Sequence, residues 1–409
     1  MFTFRGGIFP RLIALFPLLF PLYLFRGNIF GLSVTLPEVA LFFAVLYFVF
    51  RERIWESSWW REHGRSFIVW PVFIFLAAAI IGVLISPRLS YFVDGSEFYG
   101  LSKAAGIFKG WILAPVAYFY MARYFFKEKP SLIETSLRSL LAGGVLLALY
   151  ALYQVVTGDY ITADLRASGP FESANYLALY LGPIFIYALY SSFDEKRKAE
   201  KIVMIFSALI CAAALYFTKS YASWIAVFVS VSISFLLFLR TQSKRTRTVS
   251  AACILLILGA LLFSQIDTGK FAQFLDLSNR SSSSVRVQVY EVAWKLMREN
   301  PLFGIGLGQF EQVYQINAVR ILNNAPFEWV MIHPHNLYLA LWLNVGFAGL
   351  ASILFLVWRA LKWMFEKDSK KRQIVAMMLI VILTHGLFDT PVFKNDLAFE
   401  FWLFLAMLI

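Results

Sequence analysis

The side chains best placed for chemistry stand at His333-Pro334-His335-Asn336, directly before an apolar run at Leu337–Phe365. Imidazole trades a proton near neutral pH, so a histidine at the mouth of a membrane span is a candidate for acid–base work where a lipid-borne and an aqueous substrate meet. An isolated histidine there more often caps or anchors the helix, and the charge elsewhere in the chain tips the balance. Arg166, Lys219 and Arg286 fall on the same expected side of the membrane as His333 and His335. Cations recognise anions, and arginine grips phosphate with a bidentate fork, so this set suits a lipid phosphate or pyrophosphate. Asn175 stands at the start of one apolar run, Tyr221 at the start of another, and Tyr290 lies one helical turn beyond Arg286. Aromatic side chains of this kind also stack on sugar rings, although Trp and Tyr belt every membrane interface. Pro334 biases His333 towards an extended backbone, so the two histidines are not expected to share one pocket from a regular helix.

Other chemistries fit less well. There is no HExxH or GxSxG motif and no Asp-x-Asp pair on that side, and two histidines without a third ligand do not make a metal site. No metal and no cofactor are therefore expected. Gly304-Ile305-Gly306-Leu307-Gly308 has the glycine spacing of a phosphate cradle, but it follows no βαβ unit, and a tight turn is the better reading.

The elements that must position these residues are membrane spans. The chain has 409 residues, 60% hydrophobic, well above the roughly 45–50% of a soluble domain. Its long uncharged apolar runs predict an all-α membrane protein of about twelve transmembrane helices, near 9–25, 33–50, 67–86, 105–125, 135–156, 173–192, 200–217, 221–239, 248–266, 337–365, 373–388 and 397–409. The N-terminal run lacks a small-residue cleavage site and reads as the first span rather than a signal peptide. With the N-terminus in the cytoplasm, 24 of the 37 basic residues fall in short inner segments, which puts His335 on the outer face. The net charge of +12 thus belongs to loops, not to a nucleic-acid footprint. The two cysteines, Cys211 and Cys253, lie inside apolar runs and give no disulfide signal.

The whole of 1–409 reads as a single polytopic domain with one large helical loop, 267–336, between the ninth and tenth spans. Ser281 to Ser284 offer an N-cap for a helix over Val285–Glu299, on which Arg286, Tyr290 and Trp294 share a face, and Asn300-Pro301 stops it. A second short helix is expected over Gln309–Arg320.

Taken together, these residues resemble a known family. His335-Asn336, nine residues, then Gly346-Phe-Ala-Gly349 is similar to the histidine motif of the O-antigen ligases. Arg286…Trp294…Asn300-Pro301-Leu302-Phe303-Gly304-Ile305-Gly306 resembles the signature of the wider O-antigen ligase and polymerase superfamily, as do Arg166…Gly169-Pro170-Phe171…Asn175 and Thr218-Lys219-Ser220. The resemblance covers roughly residues 90–390. It implies a metal-independent glycosyltransferase of the bacterial inner membrane, with its active site facing the periplasm. The donor would be an undecaprenyl-pyrophosphate-linked glycan and the acceptor a hydroxyl of lipid A-core or of another glycan. By motif, His335 and Arg286 are the catalytic pair, with Arg166, Lys219, Tyr221, Asn175, His333, Asn336 and Tyr290 around the substrate. The family often has Ser-Arg-Gly where this chain has Ser220-Tyr221-Ala222, so Lys219 or Arg166 is left to supply the missing charge. A polymerase of the same superfamily, and a transporter or flippase for an anionic lipid or solute, stand as alternatives.

Overall fold

The computed structural model describes residues 7–29, 32–56, 66–86, 90–93, 96–239, 280–366 and 370–409. About 76% of the structure is helical. The helices, in chain order, are α1 (Ile8–Leu15, continued by a 3-10 segment Phe16–Leu24), α2 (Leu36–Glu52), α3 (Val69–Leu84), α4 (Gly100–Glu128, with a π turn at Phe108–Leu113), α5 (Ser131–Thr157), α6 (Ala174–Asp194), α7 (Lys198–Phe217), α8 (Tyr221–Leu239), α9 (Ser282–Glu299), α10 (Phe310–Leu322), α11 (Leu337–Glu366), α12 (Lys370–His385) and α13 (Asn395–Leu408). Two antiparallel hairpins, β1 (Arg26–Ile29) with β2 (Leu32–Thr35) and β3 (Ser90–Val93) with β4 (Ser96–Tyr99), interrupt the helical order.

Among the described residues α4, α5, α6, α7 and the Leu337–Lys362 part of α11 are long and apolar enough to cross a membrane, and Ile8–Leu24, Val69–Leu84 and Tyr221–Leu237 are shorter apolar helices. The chain is thus an all-α, multi-pass membrane protein. The expected span at 248–266, and the first part of the expected loop, lie outside the described residues. The hairpins are an addition that the hydropathy pattern did not suggest, because each strand is only four residues long.

Local chemistry explains where the site-bearing helices begin. Ser173 caps α6, its hydroxyl accepting from the Asn175 amide at 3.2 Å. Ser281 and Ser284 form a reciprocal cap at the start of α9, each side chain meeting the other's backbone N–H, as the serine run suggested. The short helix α10 falls one to two residues from its expected bounds. At the centre of the bundle lies α13, on which every side chain from Asp396 to Leu408 is buried. It packs against α4, α12 and the 3-10 segment.

The glycine-rich turn joins α9 to α11 and α3 through backbone contacts. Gly346, at φ 67° and ψ −175°, breaks α11 in a conformation essentially confined to glycine. The break exposes main-chain groups that the turn takes up. Ile305 N donates to Leu343 O at 2.8 Å, and Phe347 N donates to Leu302 O at 3.1 Å. Leu307 N donates to Gly82 O of α3 at 3.0 Å, and Gly308 N to the Asn344 side-chain carbonyl at 2.6 Å. A Cβ on Gly304 would stand 2.6 Å from Trp342 O. These amides are spent on helix packing, which agrees with the tight-turn reading of the motif.

Candidate active site

The expected site residues gather at one end of the bundle in two adjoining groups. The first is cationic. Arg166, Asn175, Lys219, Tyr221, Arg286 and Phe388 line a cavity of about 70 Å³, room for a small anion or about two waters at ~30 Å³ each. Arg166 is fixed by three bonds, from Nε to Thr218 O (2.6 Å), Nη2 to Asn175 Oδ1 (2.9 Å) and Nη1 to Asp164 Oδ2 (3.2 Å). Burial lowers its pKa, the Asp164 carboxylate opposes the shift, and Arg286 nearby adds to it. Arg286 reaches in from the second turn of α9, its Nε donating to Phe388 O at 3.3 Å and its Nη1 to Ser282 O at 3.1 Å. Lys219 has φ 48°, a left-handed turn that carries the chain from α7 into α8.

The second group contains the histidines. His335 has φ 47° and precedes the helix rather than opening it. The cap of α11 is Asn336, whose Oδ1 accepts from the Tyr338 and Leu339 amides at 3.0 and 3.1 Å. Because the two histidines lie in this turn and not on a helix, their rings do meet, with centroids 4.4 Å apart and nearly perpendicular. The expectation that they would face different pockets is thus corrected. The Tyr290 hydroxyl ties α9 to this turn, one donor shared between His335 O (2.9 Å) and Leu387 O (2.8 Å). Asn336 Nδ2 donates to Leu387 O at 3.1 Å. Arg286 and Tyr290 thus converge on the site from one face of α9, whereas Trp294 on the same face is 56% exposed and takes no part.

Asp389 was not singled out from sequence. It sits in the turn after α12, 3% exposed, with Oδ1 3.6 Å from His335 Nδ1. Burial pushes its carboxyl up, but the close approach of His335 and the charges of His335, His333 and His385 outweigh this and hold it well below the usual carboxylate range. Burial, with the neighbouring His335, lowers the His333 pKa to about 4. His333 Nε2 lies 3.4 Å from the Tyr176 hydroxyl. The clue available in the sequence was a lone acid, Asp389-Thr390-Pro391, between two apolar runs on the expected outer side, where ionisable residues tend to be functional. His333, His335 and Asp389 each bring a potential ligand atom within 4.8 Å of the others. The histidines therefore do have a third neighbour able to hold a metal, contrary to the expectation from spacing.

Lys394 lies behind this group. Its Nζ stands 3.5 Å from the ring centre of Tyr176, 4.7 Å from that of Phe171 and 5.1 Å from that of Tyr23, an aromatic cage around one ammonium. Burial lowers its pKa to about 8, against the pull of Asp396 and Glu172.

A multi-pass helical membrane protein with a cationic cavity beside a His–Asp pair is the class that fold and site define. The comparisons are narrower. Residues 206–354 match the family described as O-Antigen ligase, a stretch that takes in Lys219, Arg286, His333 and His335 but not Arg166, Asn175 or Asp389. The chain is 27% identical over 197 residues to an O-antigen ligase of Salmonella typhimurium, 46% of each chain. It is 27% identical over 150 residues to a protein of Rickettsia conorii named as a candidate polysaccharide ligase, 36% of each. A match at 22% identity over 288 residues to a teichuronic acid biosynthesis protein of Bacillus subtilis covers 65% of this chain and 58% of the relative. Over these segments the chain is similar to the O-antigen ligase superfamily, and each match spans between about a third and three fifths of the relative's length.

Proposed function

We propose that the protein transfers a glycan from an undecaprenyl-pyrophosphate donor to an acceptor hydroxyl at the outer membrane face, as an O-antigen ligase does. Arg286 and Arg166, with Lys219, would grip the pyrophosphate through one phosphoryl group seated in the cationic cavity. His335 would take the proton of the acceptor hydroxyl as its oxygen attacks the anomeric carbon. The bond from that carbon to the pyrophosphate oxygen breaks, and the leaving group departs as the dianion or trianion that the arginines neutralise. Donors fixed in advance on a developing charge supply a large part of a catalytic effect. Asp389 would hold the His335 ring and stabilise the imidazolium that forms. The observation that carries the reading is the joining of both groups by one scaffold. Arg286 donates to Phe388 O, Tyr290 bridges His335 O and Leu387 O, and Asp389 follows directly in the chain.

The acceptor is a hydroxyl of lipid A-core in this reading. A second reading, extension of another glycan, is favoured by the longest of the matches, to a protein named for teichuronic acid biosynthesis. The test is the full chain in proteoliposomes with lipid-linked glycan and, in separate arms, lipid A-core or free glycan acceptor. Product in the first arm supports the ligase and product only in the second the polymerase. Donor that stays intact in both, with the protein folded, overturns the proposal.

A further inference from the structure

A second cluster of ionisable groups lies inside the bundle, none of them lining the cationic cavity. Asp396 and Glu400 stand one turn apart on α13 and therefore on one face of it. They are 1% and 0% exposed, and all four carboxylate oxygens lack a hydrogen-bond partner among the described residues. The Asp396 carboxylate lies near the amides that open α13 without a full bond to either; Glu400, a turn deeper, has no such amides. From α6 comes the Tyr180 hydroxyl, fully buried, likewise without a partner, and interacting electrostatically with both acids. Unpaired buried carboxylates are expensive, so such groups are neutralised by a proton or by a cation.

The charge count narrows the choice. The other groups that interact with Asp396 are Lys394, Arg26, Tyr23 and Tyr176, and Lys394 also faces Glu172 and Asp389. Of these, Lys394 is the buried cation, and it sits next to Asp396 in the chain. Even with Lys394 given wholly to Asp396, two carboxylates and one ammonium leave at least one negative charge unmet. Carboxylate and phenol oxygens are hard donors, suited to hard cations.

We propose that Asp396, Glu400 and Tyr180 form a buried site for one monovalent cation, either sodium or a proton. Its occupancy can be read without measuring glycan transfer. The full-length protein is purified in detergent, and its unfolding midpoint is followed in sodium chloride and in choline chloride at equal ionic strength, from mildly acidic to mildly alkaline pH. The infrared band of protonated carboxyl groups is recorded alongside.

If sodium is the occupant, the midpoint rises saturably by a few degrees with sodium and not with choline, acid competes with it, and the Glu400→Gln variant loses the response. If a proton is the occupant, sodium has no effect, and one carboxyl band fades as pH rises and is absent in Glu400→Gln. The absence of both signatures overturns the proposal, and so does a band from two carboxyls that does not titrate. Should Glu400→Gln not fold, Asp396→Asn and Tyr180→Phe carry the same comparison, and the wild-type titrations stand by themselves.

Discussion

Replacing Asp389 with asparagine removes one charge from the site and almost no volume. At 3.6 Å from His335 Nδ1, and with an effective dielectric of about 20, a carboxylate attracts an imidazolium by roughly 4–5 kcal/mol. The His335 side chain is 26% exposed, so solvent screens part of this, and about 2–4 kcal/mol is a fair expectation. None of it acts on neutral His335 before proton transfer, so it lowers the barrier rather than tightening substrate. Asp389→Asn should therefore lower kcat by roughly 30- to 900-fold with little change in KM for either substrate. The assay is glycan transfer in proteoliposomes at matched protein, with donor and acceptor varied separately. Circular dichroism and gel filtration check that the variant is folded. A folded Asp389→Asn protein whose kcat stays within threefold of wild type would refute the role given to Asp389, and a loss confined to KM would move that role to binding.

The remaining expectations concern charge, position, pH and backbone. Arg286→Lys should lose most of its activity despite keeping its charge, because the fork that can hold two phosphate oxygens is gone, while Lys219→Arg is tolerated; normal transfer by Arg286→Lys would refute the pyrophosphate grip. His335→Ala should abolish transfer while donor still binds, and His333→Ala should cost clearly less, as measured by product formation and donor retention at matched membrane levels. His333 is held neutral, with its pKa lowered to about 4 from 6.5. Its contribution to stability is then complete above about pH 6.5 and lost as pH falls towards 4, roughly 3 kcal/mol; thermal unfolding of wild type against His333→Gln reads this as a flatter acid limb in the variant. Gly346→Ala puts a Cβ into a glycine-only conformation, against Leu302 O and 2.8 Å from Phe303 Cα. It should cost more than about 3 kcal/mol and sharply reduce folded protein in membranes, whereas Gly27→Ala, which meets nothing within 4 Å, should not.

Hydropathy located the helices because membrane spans must satisfy their own backbone, which leaves a long apolar signature. Of the segments it marked, only 248–266 lies outside the described residues. The serine cap of α9 and the convergence of Arg286 and Tyr290 could be read from local spacing. Asp389 could not, since its partnership with His335 joins residues 54 apart in the chain. The meeting of His333 and His335 was missed for a different reason. A helix was assumed where the chain makes a left-handed turn at His335, a conformation rare for a residue other than glycine. Glu400 was invisible as well, because a single acid in a short apolar segment gives no hint that nothing will pair with it.

The turn at 302–308 meets α11 and α3 almost wholly through main-chain atoms. Such a joint has no side-chain inventory to preserve apart from its glycines and Asn344. Peptide geometry thus sets how α9 meets α11, while the Tyr290 and Arg286 side-chain bonds fix how Arg286 faces the histidine turn. Of residues 309–332, only the exposed positions are free to change, because Gln309, Phe310, Tyr314, Ala318 and Met331 are buried and α10 packs on α9. An engineer seeking a new acceptor can therefore vary the exposed face of that stretch, keeping Gly304, Gly306, Gly308, Asn344 and Gly346 and the buried face of α10.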